Sequence, residues 1–412
     1  MTPPVAQRTS AAAYPTRFFG APQRSERIGR VLRWAAGVKD LDEELLDRIG
    51  RRMFTRDEIG ARLVRAMGRD RPDAERVTMA GFGQALEHGI DSVPDAPAAL
   101  REFFAEVDRV PDWVDFDLVE RGARTIRRMG RNVDDVLLQL SLIGGYRFGG
   151  PADLLVATGG LTGSTAMRRL GETKKWAIAI SRPGGMRRDG EGFKLTVHVR
   201  AMHALINHRF ETNGRWDSQR WGLPINQADQ AATLGLFNST LLLGVRGLGW
   251  LVTPAESRAV MHAWKYVGWL MGVDEDFLFD GEREQNRFNY HILRVQDGVT
   301  PAGAALSGAL VAGKRNLDRG RFSAVIGPYE RLRLLSMLRY FLGKKDMRDL
   351  ELPVVPVWAI PPIAAKNLVL SGLIARSRRG RRYLERAGDR FAQRDLHRTF
   401  GTARPEIGAL PS

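Results

Sequence analysis

The 412-residue chain contains no cysteine. This absence excludes disulfides, cysteine-bound zinc, iron–sulfur clusters and thiolate-ligated haem. A metal would therefore be held by carboxylates or by some of the seven histidines.

Long apolar runs are also lacking. Leu234–Val252 is interrupted by Asn238 and Arg246, whereas Pro353–Ala375 contains four prolines and Lys366. A membrane-spanning helix needs about 20 apolar residues, so we interpret the first stretch as a buried helix and the second as a loop leading to an amphipathic helix. The start of the chain shows no apolar core behind a charged segment, which predicts no export signal. We therefore expect a cytoplasmic protein.

Common nucleotide-binding and hydrolase motifs are missing as well. The run GGLTGST at 159–165 lacks the lysine of a phosphate-binding loop, and no strand precedes it. The run GFGQA at 81–85 resembles a dinucleotide motif, again without a strand. No Gly-x-Ser-x-Gly nucleophile motif occurs. These patterns do not point to nucleotide or serine-hydrolase chemistry.

The formal net charge of +16 is concentrated at the two ends. Residues 1–33 carry net +5 and residues 373–412 carry net +6. We predict a flexible basic N-terminal arm at 1–34, a helical domain at 35–345, and a loop with a basic helical tail at 346–412. The basic ends are candidates for peripheral contact with a membrane surface, although solvated tails are the simpler interpretation. We expect no specific nucleic-acid binding.

Apolar residues recur at spacings of three and four along most of the chain, and alternating β-type runs are nearly absent. This pattern predicts an all-α protein, one large helical domain with extra helices. The predicted helices are Leu41–Met67, Ala98–Val107, Asp117–Met129, Val133–Ile143, Thr165–Ile180, Phe193–Phe210, Gln227–Leu242, Pro254–Met271 and Glu330–Phe341.

Three histidines lie on the predicted helix Phe193–Phe210. His198, His203 and His208 are spaced by five residues, so successive side chains point about 140° apart on a helix. They cannot hold one ion together, but one of them could act alone, as a proximal histidine does on haem iron.

His203 is the best placed of the three. It lies within an apolar stripe that should face the interior, formed by Leu195, Val199, Met202 and Ile206. A lone buried histidine is more often an ordinary core residue than a ligand, so both interpretations stay open. Arg200, one turn earlier, could pair with a haem propionate or could simply be solvated.

A second group of candidates lies on the preceding helix. Arg169, Thr173 and Trp176 share one helical face, and a cation beside a hydroxyl can hydrogen-bond bound dioxygen. The alternative is an Arg–Glu pair beside a core aromatic residue. Sixteen residues before Arg169, Asp153 follows a glycine-rich break, from which a carboxylate could reach a pocket.

Together these residues carry a family resemblance. The run Arg169…Thr173, followed by Val199-Arg-Ala-Met-His203-Ala, resembles the central signature of the rubber oxygenase (latex-clearing protein) and mycophenolate-pathway oxygenase family. Other segments match in the same order across about residues 95–345: Val110–Asp115 with Arg121-Gly122, Leu223–Asp229, Thr233–Phe237 and Ala263–Val273.

The resemblance implies a helical fold with a globin-like core, haem b as cofactor, and oxygenation of isoprenoid carbon–carbon double bonds. It implies that His203 is the proximal iron ligand and that Arg169 and Thr173 belong to the haem environment. Asp153 takes the place of the proposed catalytic base, although it is shorter than the glutamate expected there.

One departure concerns the lysine that can close the distal iron site in rubber-cleaving members, because this chain has Glu172 instead. Glu172 could act as an acid or base, or could pair with Lys175 or Arg168. We therefore predict a haem-dependent, dioxygenase-type enzyme that cleaves a small unsaturated apolar substrate to carbonyl products, with Asp153 or Glu172 removing an allylic proton. The alternative is a non-catalytic helical binding protein for an apolar ligand.

Overall fold

The structure is a computed structural model that describes residues 13–68, 70–159, 163–316 and 322–400, without the side chains of 163–165, 315–316 and 399–400. It is 72% helical, and no β-strand occurs in those ranges. The predicted all-α class is therefore confirmed.

Twenty α-helices, numbered in chain order, make up the described part of the fold. Their bounds are α1 Pro22–Ile28, α2 Arg30–Ala36, α3 Glu43–Arg52, α4 Glu58–Arg65, α5 Met79–His88, α6 Ala98–Asp108, α7 Phe116–Met129, α8 Arg131–Val136, α9 Pro151–Ala157, α10 Gly163–Ser181, α11 Glu191–Thr212, α12 Ser218–Trp221, α13 Gln227–Phe237, α14 Ser239–Gly247, α15 Pro254–Leu270, α16 Glu282–Arg294, α17 Pro301–Asn316, α18 Ser323–Asp349, α19 Ile360–Gly372 and α20 Arg378–Phe400.

The helix predicted to begin at Pro254 shows why local sequence can predict where some helices start. Thr253 caps α15 by accepting from the backbone N–H of Glu256, and the Glu256 side chain accepts from the Thr253 N–H. This reciprocal capping satisfies two amide donors that a helix start leaves unpaired, and Pro254 sacrifices no helical hydrogen bond there. The predicted start is confirmed.

Other predicted helices are divided. The stretch predicted at 227–242 breaks at Asn238, whose backbone has φ −106° and ψ −93° and whose side chain accepts from Ser239 N–H, so α14 begins anew. The stretch predicted at 133–143 becomes α8 followed by a π-helical segment, Leu137–Ile143. Apolar periodicity continues through both interruptions, which is why it did not reveal them.

The N-terminal segment is packed and does not form the predicted flexible arm over residues 13–34. Arg17 has a fully buried side chain that donates to Asp229 Oδ2 at 2.5 Å and to Gln296 Oε1 at 3.0 Å. Helix α2 packs against α16. A buried guanidinium keeps its charge through such partners, so this contact fixes the segment to the domain. Residues 1–12 lie outside the described residues.

The C-terminal tail carries α19 and α20. Helix α20 packs against α7 and α10, with Arg127 3.3 Å from Asp389. On α10, Lys174 contacts Asp134 at 2.5 Å and also pairs with Asp395 of α20. These contacts hold α20 against the helix that carries Arg169 and Thr173. Within the described ranges, the helices are too short or too polar to cross a membrane.

Candidate active site

Helices α10 and α11 form an antiparallel hairpin. Its pairing determines the level of each candidate residue, meaning its position along the shared direction of the two helix axes. Near the connection, the Cα of Ile180 abuts Gly192, and Trp176 Nε1 donates to Thr196 Oγ1 at 2.9 Å. Because the helices are antiparallel, residues at equal distances from these two contacts, towards the start of α10 and towards the end of α11, lie opposite each other. Arg169 lies seven residues before Trp176, and His203 lies seven after Thr196. Two turns span about 10.5 Å on each helix, so Arg169 and His203 lie at one level.

Burial of the side chains on the facing sides of the hairpin decreases away from its connection. Trp176 is only 9% exposed and Thr196 is buried. Thr173, one turn from Trp176 on the same face of α10, is exposed. Beyond Trp176 the side chains on these faces are thus less deeply buried: Thr173 is exposed, and Arg169 and His203 are half-buried.

The burial of α11 corrects the predicted orientation of its apolar stripe. Its fully buried face consists of Phe193, Thr196, Val197, Arg200, Ala201, Ala204, Asn207 and Phe210. The predicted interior stripe, with His203 in it, is only half-buried: Leu195, Val199, Met202 and Ile206. A half-buried apolar face that carries one histidine is a suitable wall for an apolar prosthetic group.

His203 has the protonation state that a metal ligand needs. Burial lowers the pKa of its imidazole to about 4, and a hydrogen bond with Gln230 and the charge of Asp57 oppose this only in part. Its Nδ1 is buried with no hydrogen-bond partner among the described residues. A neutral imidazole with an unpartnered ring nitrogen can bind iron. The residue therefore fits haem ligation.

Arg200 pairs with the carboxylate of Asp57, whereas the sequence suggested a haem propionate or solvent. Its Nε and Nη2 donate to the two oxygens of Asp57 at 2.6 and 2.8 Å, and its Nη1 donates to the Leu270 carbonyl at 3.4 Å. The guanidinium also lies 5.4 Å from the ring centre of Phe103. Arg200 thus links α11 to the residue that precedes α4, and a propionate would have to compete with Asp57 for it.

Arg169, Glu172 and Thr173 lie together on α10. Arg169 Nη2 donates to the Thr158 carbonyl at 3.2 Å, and Thr173 Oγ1 donates to the Arg169 carbonyl at 3.1 Å. Glu172 lies 3.7 Å from Arg168, and burial raises the pKa of its carboxyl. A carboxyl with a raised pKa can hold or accept a proton nearer neutral pH.

Asp153 has a local structural role. As the third residue of α9, it accepts at Oδ2 from Gly150 N–H and from Thr300 Oγ1, both at 3.0 Å. Among the described residues, Asp153 forms no hydrogen bond or ion pair with Arg169 or His203. This carboxylate caps a helix start, where it also complements the helix dipole.

Two residues near the candidate site were not predicted. Gln230 lies on α13, one turn after a matched Asn-Gln motif, and contacts His203. Tyr146 is buried, which raises the pKa of its hydroxyl, and the positive charge of Arg169 opposes that shift. Tyr146 therefore lies near Arg169. A single tyrosine inside a glycine-rich break carries no periodic signal that could have revealed it.

The described architecture is thus that of a helical protein whose candidate site is a half-buried face with one neutral histidine. The family "ER-bound oxygenase mpaB/B'/Rubber oxygenase, catalytic domain" matches residues 127–369, more than half of the chain, so the protein belongs to that family. The family supports an oxygenase enzyme.

The chain is 24% identical over 285 residues to the rubber oxygenase of Streptomyces sp. (strain K30), covering 67% of each protein. It also resembles a solved structure of the latex clearing protein LCP in the closed state, with a TM-score of 0.54 at 20% identity. That alignment covers 83% of this chain and 91% of the other. The structural likeness supports the helical fold.

Proposed function

We propose that this protein is a haem b-dependent oxygenase that cleaves a carbon–carbon double bond of an isoprenoid or another unsaturated apolar substrate. The observation that carries the proposal is the neutral imidazole of His203, with an unpartnered ring nitrogen, on a half-buried apolar face. The family of oxygenases to which the chain belongs supports the same reaction class.

His203 would hold the iron of haem b, and Leu195, Val199, Met202 and Ile206 would cover the porphyrin. When bound, haem supplies the binding and activation of dioxygen. Arg169, at the level of His203, would stabilise negative charge that develops on oxygen. The Thr173 hydroxyl would turn away from the Arg169 carbonyl and donate its hydrogen bond to that oxygen. In the overall reaction one oxygen atom goes to each alkene carbon, so two carbonyl groups form without an external reductant.

A base is needed if the reaction begins by removing an allylic proton, and two carboxylates are candidates. Glu172 is half-buried beside Thr173, and its pKa is raised by burial. Asp153 already accepts from Gly150 and Thr300. Because the Asp153 carboxylate is engaged in helix capping, Glu172 is the better-supported base.

The direct test replaces the proposed ligand and compares it with a matched control on the same helix. His203→Ala and His208→Ala, where His208 is exposed on α11, would be expressed with a haem precursor and purified alongside the parent protein. We expect the parent and His208→Ala to show a Soret band that shifts with carbon monoxide after reduction. His203→Ala should lose haem while keeping its helical circular dichroism.

An unchanged spectrum in His203→Ala would refute the ligand assignment. A parent protein without a Soret band and without extractable haem would refute the oxygenase proposal. If such a colourless protein still bound terpenoids, the alternative of a non-catalytic apolar-ligand binder would be supported.

A further inference from the structure

Gln230 is a buried polar residue to which the proposed reaction gives no role. It lies on α13 and is only 9% exposed, and its side chain contacts the His203 imidazole of α11. Two atoms of this pair, His203 Nδ1 and Gln230 Oε1, are buried without a hydrogen-bond partner among the described residues. Buried polar groups are nearly always hydrogen-bonded, so an unused acceptor beside a ring that carries a proton points to a function.

The start of α13 is fixed to α11 close to His203. One turn after His203, the Asn207 side chain donates to the Ile225 carbonyl at 2.8 Å and accepts from the Ile225 N–H at 2.7 Å. Ile225 lies just before α13, five residues ahead of Gln230. These two hydrogen bonds hold the backbone of α13 beside the imidazole, so the contact of Gln230 with the ring does not depend on its own side chain alone.

An imidazole that binds iron through one ring nitrogen keeps its proton on the other nitrogen. In metal sites this second N–H is usually donated to a carboxylate, a carbonyl or water, which fixes the ring and raises its basicity. The charge of Asp57 also acts on His203, but both oxygens of that carboxylate accept from Arg200 at 2.6 and 2.8 Å. The amide of Gln230 is therefore the available acceptor.

The Gln230 amide can present its oxygen to the ring without any other movement. The oxygen and the amine group of a glutamine are similar in size, so a half-turn about the last side-chain bond exchanges them within the same space. A neutral amide accepts a weaker hydrogen bond than a carboxylate does. It therefore makes the imidazole a weaker electron donor to iron than a carboxylate partner would, which favours the reduced state of the metal.

We infer that Gln230 is the positioning residue of the proposed iron ligand: its Oε1 accepts the ring N–H of His203, fixes the plane of the imidazole and tunes the reduction potential of the bound iron. The part that concerns iron rests on the proposed oxygenase function. The hydrogen bond between the two side chains does not require iron and can be measured separately.

The test compares haem-loaded variants of the full chain at pH 8. Gln230→Glu supplies a carboxylate acceptor of nearly the same shape, and Gln230→Leu removes the acceptor while filling similar space. The matched control, Thr233→Glu, adds a carboxylate at an exposed position one turn further along α13. Redox titration of the Soret band gives the midpoint potential, resonance Raman of the reduced protein gives the iron–histidine stretching frequency, and thermal melting confirms folding.

We expect Gln230→Glu to lower the midpoint potential and to raise the iron–histidine frequency, because a charged acceptor strengthens donation by the ligand. Gln230→Leu should shift both quantities the other way, and Thr233→Glu should match the parent. A residue that only packs against the ring would not produce opposite shifts. Parent-like values in Gln230→Leu, or shifts of both variants in the same direction, would overturn the inference.

Proton NMR of the haem-free parent protein measures the hydrogen bond without iron. The ring N–H of His203 should give a slowly exchanging downfield signal that is lost in Gln230→Leu, with His203→Gln used to assign it. Absence of this signal from the parent would overturn the inference even if the Gln230 variants failed to fold. A parent that takes up no haem but shows the signal would support the hydrogen bond and contradict only the oxygenase proposal. Haem-loaded protein whose spectra do not respond to position 230 would contradict only the role of Gln230.

Discussion

The ion pair between Arg200 and Asp57 gives the sharpest prediction, because it separates a structural role from a cofactor role. The Arg200 side chain is 4% exposed and that of Asp57 is 12% exposed, with two hydrogen bonds of 2.6 and 2.8 Å between them. Removing one member of a buried pair costs about 3–5 kcal/mol, since the other charge loses its compensation. Asp57 retains some contact with solvent, so we expect Arg200→Met to lower the free energy of unfolding by about 3 kcal/mol.

Urea denaturation of the full chain, followed by circular dichroism, measures this loss. The control is a double-mutant cycle with Asp57→Asn, in which the double variant should be more stable than the sum of the single losses predicts. Haem content of the folded Arg200→Met protein should match that of the parent. An unchanged denaturation midpoint together with loss of the Soret band would refute the structural interpretation and place Arg200 at a haem propionate.

Three further predictions concern residues around α10 and α11. Because the pKa of His203 is lowered from 6.5 to about 4, the unfolded chain takes up a proton in this interval that the folded chain does not. In the haem-free protein, stability should therefore fall by up to about 3 kcal/mol as pH decreases from 6.5 to 4, and His203→Gln should reduce this slope in urea titrations; an unchanged slope would contradict the buried neutral imidazole. Lys174→Met removes a buried cation from Asp134, and we expect a loss of about 3 kcal/mol in thermal denaturation, against no loss if the pair were solvated. Asp153→Ala should cost about 1 kcal/mol as a lost cap while keeping haem, and Glu172→Gln should reduce turnover far more; the reverse ranking of activities would assign the base to Asp153.

The helices were predictable where one physical signal dominates. Amphipathic periodicity and the proline at its first turn located α15, and α6 and α7 lie within a residue or so of the predicted bounds. The break at Asn238 was not predictable from apolar spacing, because the surrounding residues are buried on both sides of it. A side chain that satisfies its neighbour's amide can interrupt a helix without interrupting its apolar pattern.

The N-terminal segment shows a second limit. Arginine-rich sequence near a terminus indicates a solvated arm, yet Arg17 is buried against Asp229 and Gln296. These partners lie more than 200 residues away, so no local pattern can pair them. Tyr146 was missed for the same reason, since only the tertiary fold places it near Arg169.

The candidate residues were identified mainly by their types and by family resemblance, whereas their relative placement required the hairpin. Spacing within α11 put His203 in an apolar stripe directed to the interior; the structure shows this stripe half-buried, beside a more deeply buried face. The level shared by Arg169 and His203 follows from the pairing of Trp176 with Thr196 across two helices. A sequence gives the position along each helix, but the offset between helices depends on how their connection packs.

Helix α10 combines two requirements that a prosthetic-group site imposes on its scaffold. On one face, Lys174 joins it to Asp134 and Asp395, so α8 and α20 hold it in place. The adjacent face carries Arg169, which is half-buried, and Thr173, which is exposed. Reactive groups need positions fixed to within about 0.5 Å by surrounding contacts, yet they must leave space for the molecule they act on. The ion pairs of Lys174 fix the position of α10 on one face. The face that carries Arg169 therefore does not need tight packing against α11 to keep the helix in place.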